Sequence, residues 1–81
     1  MRVKVLFFAA AREAAGTSET ALDVPEGCTV GALLERLGRD APDVASVLAG
    51  CRAAVDEEFA PRSRPLGEGQ VVAVLPPVSG G

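Results

Sequence analysis

The chain has 81 residues, with no His, Tyr or Trp, only two Cys, and a formal net charge of −3 at pH 7. These counts exclude a Ser-His or Cys-His catalytic pair and an all-cysteine metal site, so we expect no bound metal and no self-contained active site. The acidic balance disfavours nucleic acid, no apolar run approaches a membrane span of about 20 residues, and no signal peptide is recognisable, so we expect a cytoplasmic protein.

The first third of the chain predicts two strands joined by a short helix. Residues 2–8 and 19–24 are rich in β-branched and aromatic residues, which favour strands. Between them, the Ala-rich residues 9–15 predict a short helix that ends at Gly16, since glycine readily adopts the left-handed conformation found at helix ends. Residues 25–27, Pro-Glu-Gly, predict a turn. We therefore expect the two strands to pair antiparallel.

The main helix is predicted over residues 30–40. Thr29 is a good N-cap, and Pro42 prevents simple continuation of the helix. Residues 43–49 predict a second short helical turn. Apolar side chains at positions i, i+3, i+4 and i+7 predict that one side of the main helix is buried. This apolar stripe consists of Val30, Leu33, Leu34 and Leu37.

The second half of the chain predicts three more strands. Residues 51–55 form the first, and Asp56-Glu57 form a tight acidic turn that leads into a short strand near Phe59. Residues 60–69 contain Pro and Gly at the spacing of a loop followed by a turn. Residues 70–75 are apolar on both faces, which predicts a strand in the middle of a sheet.

These elements predict an α+β domain over residues 1–75. One mixed sheet of about five strands carries one main helix across one of its faces. This order of elements is the β-grasp, or ubiquitin-like, arrangement, in which the first and last strands are parallel neighbours at the centre. Residues 76–81 are predicted to follow as an extended, flexible C-terminal tail.

The predicted tail reads Pro76-Pro77-Val78-Ser79-Gly80-Gly81. Its prolines cannot continue a sheet ladder, and six extended residues reach about 20 Å. A Gly-Gly end fits a narrow channel and can bring the C-terminal carboxylate to a reactive group, although a frayed end is the alternative. Adenylation by ATP turns a carboxylate into an electrophile. The chain has no P-loop motif, so a partner has to supply the ATP site.

Three segments of the chain match the pattern of a known family: Lys4-Val5-Leu6-Phe7-Phe8-Ala9 with Arg12-Glu13 and Gly16, then Pro65-Leu66 with Gly67 and Gly69, and finally residues 76–81. Through them the whole chain resembles the MoaD family, the small sulfur-carrier subunits of molybdopterin synthase. The Pro-Pro-Val-Ser-Gly-Gly ending is fairly specific to that family. Gly-Gly alone is shared with thiamin-pathway sulfur carriers and ubiquitin-like modifiers.

The resemblance implies a chemistry at the C-terminus. In the family, an E1-like (MoeB-like) enzyme uses ATP to adenylate the terminal glycine, and a sulfur donor protein supplies the sulfur of a thiocarboxylate. The tail then enters the active site of the large catalytic (MoaE-like) subunit of a heterotetramer. There it delivers sulfur to precursor Z, cyclic pyranopterin monophosphate, in molybdenum cofactor biosynthesis. Gly81 would carry the adenylate or thiocarboxylate, Gly80 would let the tail enter, and the chain itself would bind no cofactor.

A partner surface is expected on the sheet face that the main helix leaves open. Exposed side chains of Phe8, Phe59 and Leu75 would form an apolar patch near the tail, which is typical of a protein interface. The alternative is a sheet that twists enough to bury these residues. The predicted interface continues along the tail through Pro76, Pro77, Val78 and Ser79.

Two other functions would use the same terminal glycine. The first is sulfur delivery for thiamin, cysteine or tRNA thiolation, and the second is conjugation to target lysines as a ubiquitin-like modifier. Cys28 and Cys51 do not form a CxxC redox motif. In a reducing cytosol we expect both to be free thiols that pack as small apolar groups.

Overall fold

The computed structural model describes residues 1–77. Within that range it contains one five-stranded sheet and three helices. In chain order the elements are β1 (Arg2–Phe7), α1 (Ala9–Ala15), β2 (Glu19–Asp23), α2 (Val30–Asp40), α3 (Pro42–Leu48), β3 (Arg52–Val55), β4 (Glu58–Ala60) and β5 (Val71–Leu75). None of these helices is long and apolar enough to cross a bilayer.

The strands lie in the order β2-β1-β5-β3-β4. β1 pairs parallel with β5, and the three other pairs are antiparallel. The last strand therefore occupies the centre of the sheet beside the first, as its apolar sequence predicted. The order and the directions of the strands confirm the predicted β-grasp arrangement.

The two faces of the central strands differ in burial. Val5 of β1 and Val72 and Val74 of β5 are fully buried against the helices, while the residues that alternate with them face the other way. This alternation follows from the two-residue period of a β-strand. The stripe of α2 that was predicted to be buried is buried in full: Val30, Leu33, Leu34 and Leu37.

The three helices together cover one face of the sheet. α3 buries Val44 and Leu48, and α1 buries Ala11, so α2 is the main helix but does not close the core by itself. The reason is geometric: five strands make a sheet about 19 Å wide, whereas one helix is about 10 Å across. The helical turn predicted at residues 43–49 is thus a helix that contributes to the core.

Hydrogen bonds at the N-terminus of α2 explain where this helix begins. The hydroxyl of Thr29 accepts a hydrogen bond from the backbone N–H of Ala32 at 3.2 Å, as expected of an N-cap. The loop between β4 and β5 adds two partners, because the carbonyls of Arg64 and Arg62 accept from the N–H groups of Val30 and Gly31 at 2.9 and 2.8 Å. A Cβ on Gly31 would lie 3.2 Å from the Arg62 carbonyl oxygen, so this close approach favours glycine.

Candidate functional site

The sheet face that points away from the helices, called here the outer face, carries an apolar row across four strands. The register places Leu6, Ala73, Ala54 and Phe59 side by side on β1, β5, β3 and β4. Apolar side chains continue along this face in a shallow depression. Its lining includes Leu6, Phe8, Ala54, Val71 and Ala73, with Asp56 and Glu57 at the rim.

Phe8 and Phe59 are the exposed large apolar side chains of residues 1–77, with 46% and 67% of their surface accessible. Phe8 directly follows β1, and its carbonyl accepts hydrogen bonds from the N–H groups of Ala11 and Arg12, so the first turn of α1 holds its backbone. Phe59 lies on β4, an edge strand. Aromatic rings held open to solvent on fixed backbone are typical of protein interfaces.

Leu75 is less open than predicted. From the sequence, the Leu75 side chain was predicted to be exposed, but it is half-buried. β5 is the central strand and has a neighbour on both sides, and these neighbours cover part of each of its outward side chains. Phe8 lies beyond the end of β1 and Phe59 on an edge, so neither is covered in this way. Leu75 is thus the half-buried member of the patch, and Phe8 and Phe59 are its exposed members.

The tail leaves the sheet beside the turn between α3 and β3. Leu75 pairs with Arg52 in the last pair of the β3–β5 ladder. Pro76 is half-buried and Pro77 is exposed, and neither has an N–H with which to extend the ladder. The ring of Pro77 lies 3.9 Å from the position that a Cβ on Gly50 would occupy. The predicted site residues Val78, Ser79, Gly80 and Gly81 lie outside the described residues, and their roles stay predictions.

At the opposite end of the sheet, the Asp56 side chain hydrogen-bonds to the start of β5. From the sequence, Asp56 was predicted only to be part of an acidic turn. Oδ1 of Asp56 accepts a hydrogen bond from the N–H of Val71 at 3.0 Å, and Oδ2 accepts from Nε2 of Gln70 at 3.0 Å. Gln70 in turn accepts from the N–H of Gly67 at 2.7 Å. These contacts fix the start of β5, the strand that leads to the tail.

The two thiols are free and half-buried. Sγ of Cys51 donates to the carbonyl of Val47 at 3.1 Å. Burial raises the pKa of the Cys51 thiol, and the Arg62 guanidinium opposes the rise only in part. Cys51 is therefore a packed thiol and not a thiolate nucleophile at neutral pH. Among residues 1–77, no three His, Cys, Asp or Glu side chains are grouped to hold a metal ion.

Arg52 is a neighbour of the patch that was not among the predicted site residues. Its guanidinium carbon lies 4.8 Å from the centre of the Phe59 ring, within the range of a cation–π contact. Arg52 and Phe59 come together because Ala54 pairs with Phe59 and Arg52 is two residues away on the same face of β3. In the sequence, this contact is indicated only by the two-residue spacing between Arg52 and Ala54. That spacing predicts the contact only when the pairing of Ala54 with Phe59 is known.

Comparison with known proteins matches residues 5–81 to the ThiS family. The molybdopterin synthase sulfur carrier subunit of Chlamydomonas reinhardtii is 36% identical over 83 residues, which cover 100% of both chains. The subunit of the same name from Mycobacterium tuberculosis is 37% identical over 82 residues, covering 100% of this chain and 99% of the relative. That of Escherichia coli is 40% identical over 83 residues, covering 98% and 99%.

Solved structures share the fold. SAMP1 from Haloferax volcanii, a small archaeal modifier protein, matches with a TM-score of 0.88 at 27% identity over 100% of both chains. A chain of the complex of subunits 1 and 2 of molybdopterin-converting factor from Helicobacter pylori matches with a TM-score of 0.73 over 100% of both chains, and at 23% identity it shows the fold alone. The chain has the ubiquitin-like β-grasp fold, belongs to the ThiS family, and is a full-length relative of the molybdopterin synthase sulfur carrier subunits.

Proposed function

We propose that this chain is the sulfur-carrier subunit of a molybdopterin synthase. The observation that carries the proposal is the full-length match, through the C-terminal Gly-Gly, to relatives that bear this name. The composition agrees with it, because a chain without His and with only two Cys has little to offer as a catalyst by itself. The reactive group is the main-chain carboxylate of Gly81.

The proposed reaction has two steps at that carboxylate. An E1-like activating enzyme transfers AMP from ATP to the carboxylate and releases pyrophosphate, which gives an acyl adenylate. Sulfur at the sulfide oxidation level, supplied by a donor protein, then attacks the acyl carbon, and AMP leaves with the electrons of the broken C–O bond, which gives a thiocarboxylate. The sulfur of this group is a soft nucleophile, which is delivered to precursor Z in the active site of the large subunit. We place these reactions in the cytoplasm, where the two thiols would stay reduced.

The fold supports this function by fixing the origin of the tail. β5 is held by a strand on each side and by Asp56 at its start, so Leu75 ends a rigid element. Pro76 and Pro77 then separate the sheet from the last residues, which favours presentation of the terminus to another protein. The outer-face patch of Phe8, Phe59 and Leu75 lies at the same end. We propose that the large subunit docks there. A chain of this fold occurs in the complex of subunits 1 and 2 of molybdopterin-converting factor from Helicobacter pylori, which supports a partner of this kind.

Intact-mass analysis tests the chemistry. The chain is incubated with its activating enzyme, ATP and a sulfur source, and a variant lacking Gly81 serves as the control. Replacement of one carboxylate oxygen by sulfur in the full chain, with no change in the control, is expected. An unchanged mass in both samples would contradict the proposal.

The second candidate function is protein modification, which the likeness to SAMP1 favours. A modifier would form an isopeptide bond between Gly81 and lysines of other proteins. The same reaction mixture, supplemented with a cell extract, distinguishes the modifier function from the sulfur-carrier function. Lysine-linked conjugates that persist in reducing agent support the modifier, and a thiocarboxylate without conjugates supports the carrier. A carrier for thiamin, cysteine or tRNA thiolation would acquire the same thiocarboxylate and differ only in the acceptor it serves.

A further inference from the structure

Arg52 occupies a distinctive position beside the tail. It is the first residue of β3 and pairs with Leu75, the last residue before the two prolines. Its guanidinium lies over the exposed ring of Phe59 at 4.8 Å. The stack holds a charged group on the outer face, next to Leu75. A guanidinium lying against a ring has fewer rotamers to lose when a partner binds.

No carboxylate within residues 1–77 forms an ion pair with Arg52. The other two cations on the strands of the sheet do find acidic partners: Arg2 pairs with Asp23 at 3.3 Å, and Lys4 pairs with Glu19 at 3.3 Å. The acidic turn of the same hairpin is at the far end of β3, about 10 Å away along a four-residue strand. In the part of the chain that the structure describes, the Arg52 side chain also donates no hydrogen bond, which leaves its N–H donors for another molecule.

A partner that covers Leu75 and Phe59 also removes Arg52 from water. Desolvating a guanidinium without a counter-charge is strongly unfavourable, so a tight interface has to provide an acceptor. The planar fork of arginine fits a carboxylate through two parallel hydrogen bonds better than it fits a single carbonyl. Arginines of this kind, stacked on an aromatic ring beside apolar side chains, are frequent among the residues that dominate interface energies.

We propose that Arg52 is a specificity-determining residue of the docking surface, and that it pairs with a carboxylate on the protein that receives the tail. This inference rests on the proposed function, in which the receiving protein is the large subunit. It adds a charged recognition point to an apolar patch. A protein whose surface lacks the matching carboxylate would leave the guanidinium unpaired and would bind weakly even if its apolar surface were complementary.

Calorimetric titration of the full chain with the large subunit encoded in the same genome tests the inference. Arg52→Gln removes the charge, and Arg52→Lys keeps the charge but not the fork. Arg2→Gln is the matched control, because Arg2 is an exposed arginine at the other end of the sheet. We expect Kd to rise about ten- to a hundredfold for Arg52→Gln, less for Arg52→Lys, and within about twofold for Arg2→Gln. Thermal melts of all three variants establish that they are folded.

Ionic strength identifies the chemistry of the contact. Wild-type affinity is expected to fall as NaCl rises, and this dependence is expected to weaken in Arg52→Gln. A wild-type affinity with Arg52→Gln would overturn the inference while leaving the proposed function intact. A loss that does not depend on salt would indicate an aromatic or apolar contact and would also overturn it. Failure of the wild-type chain to bind the large subunit would instead contradict the proposed function, and the inference with it.

Discussion

Leu75 and Arg52 form the last pair of the β3–β5 ladder, and the chain leaves the sheet immediately after it. The pair joins the three features on which the account depends. Leu75 is the half-buried member of the apolar patch, Arg52 stacks on Phe59, and Pro76 and Pro77 prevent further pairing. A rigid strand end, a docking surface and the origin of the tail therefore coincide at one place in the molecule.

Deletion of Gly81 is expected to abolish sulfur loading without altering stability. The buried residues of the last strand end at Val74, and Gly81 is predicted to belong to the tail, so we expect the deletion to remove no group from the core. Intact mass after incubation with the activating enzyme measures loading, and a thermal melt measures stability. A Tm that falls by several degrees would show that the terminus contributes to the folded domain and would contradict the assignment of residues 76–81 as a tail.

Phe7 and Phe8 are adjacent, but truncation is expected to affect mainly stability at Phe7 and mainly partner binding at Phe8. Phe7 is 4% exposed and belongs to the core, so Phe7→Ala should lower the free energy of unfolding by about 3–5 kcal/mol. Phe8 is 46% exposed, so Phe8→Ala should lower it by about 1 kcal/mol or less while weakening large-subunit binding. Urea unfolding and calorimetric titration measure the two effects. Equal destabilisation by both substitutions would place Phe8 in the core.

The hairpin between β3 and β4 has a two-residue turn whose second residue is not one that its geometry favours. Asp56 and Glu57 have φ of 48° and 72°, the left-handed values of a type I′ turn, in which Asn-Gly and Asp-Gly are preferred. Glu57→Gly is therefore expected to stabilise the chain by about 0.5–1 kcal/mol. Glu58→Gly, one residue later in β4, is the control and is expected to destabilise it. Urea unfolding that shows Glu57→Gly to be less stable than wild type would contradict this description of the turn.

Stability is expected to fall in alkaline solution because of Cys51. Burial raises the pKa of this thiol in the folded state, so the unfolded chain loses its proton first, from about pH 8.5. Below that pH the contribution of the buried neutral thiol is fully present, and it is lost as the pH rises toward the folded-state pKa. Urea unfolding at pH 7 and pH 9.5, with Cys51→Ala as the control, measures the effect. Equal pH dependence in both proteins would assign it to other groups.

Local patterns were sufficient to predict most of the fold. Thr29 and the four-residue apolar stripe predicted α2 with its observed bounds. The apolar sequence of β5 also predicted its central place. Each of these features depends on residues that are near one another in the chain, where propensity and periodicity are informative.

Side-chain contacts and burial that depend on distant residues were not predicted. The stack of Arg52 on Phe59 requires the hairpin register, and the half-burial of Leu75 requires the number of strands beside it. The fit between Gly31 and the Arg62 carbonyl requires the path of the loop before β5. Exposure of Phe8 and Phe59 was expected, whereas the role of the patch as a docking surface stays a prediction that binding measurements have to test.

A single-turnover assay tests directly whether the C-terminal thiocarboxylate of this chain delivers sulfur to precursor Z, which is the central claim. The thiocarboxylated chain is mixed with the large subunit and precursor Z, in the absence of ATP and any sulfur donor, and both molybdopterin and the C-terminal mass are followed. Because a dithiolene holds two sulfur atoms, the account predicts that two thiocarboxylates revert to carboxylates for each molybdopterin formed. If the thiocarboxylate persists and no molybdopterin appears, while a molybdopterin synthase sulfur carrier subunit from a relative is active with the same large subunit, the central claim is wrong.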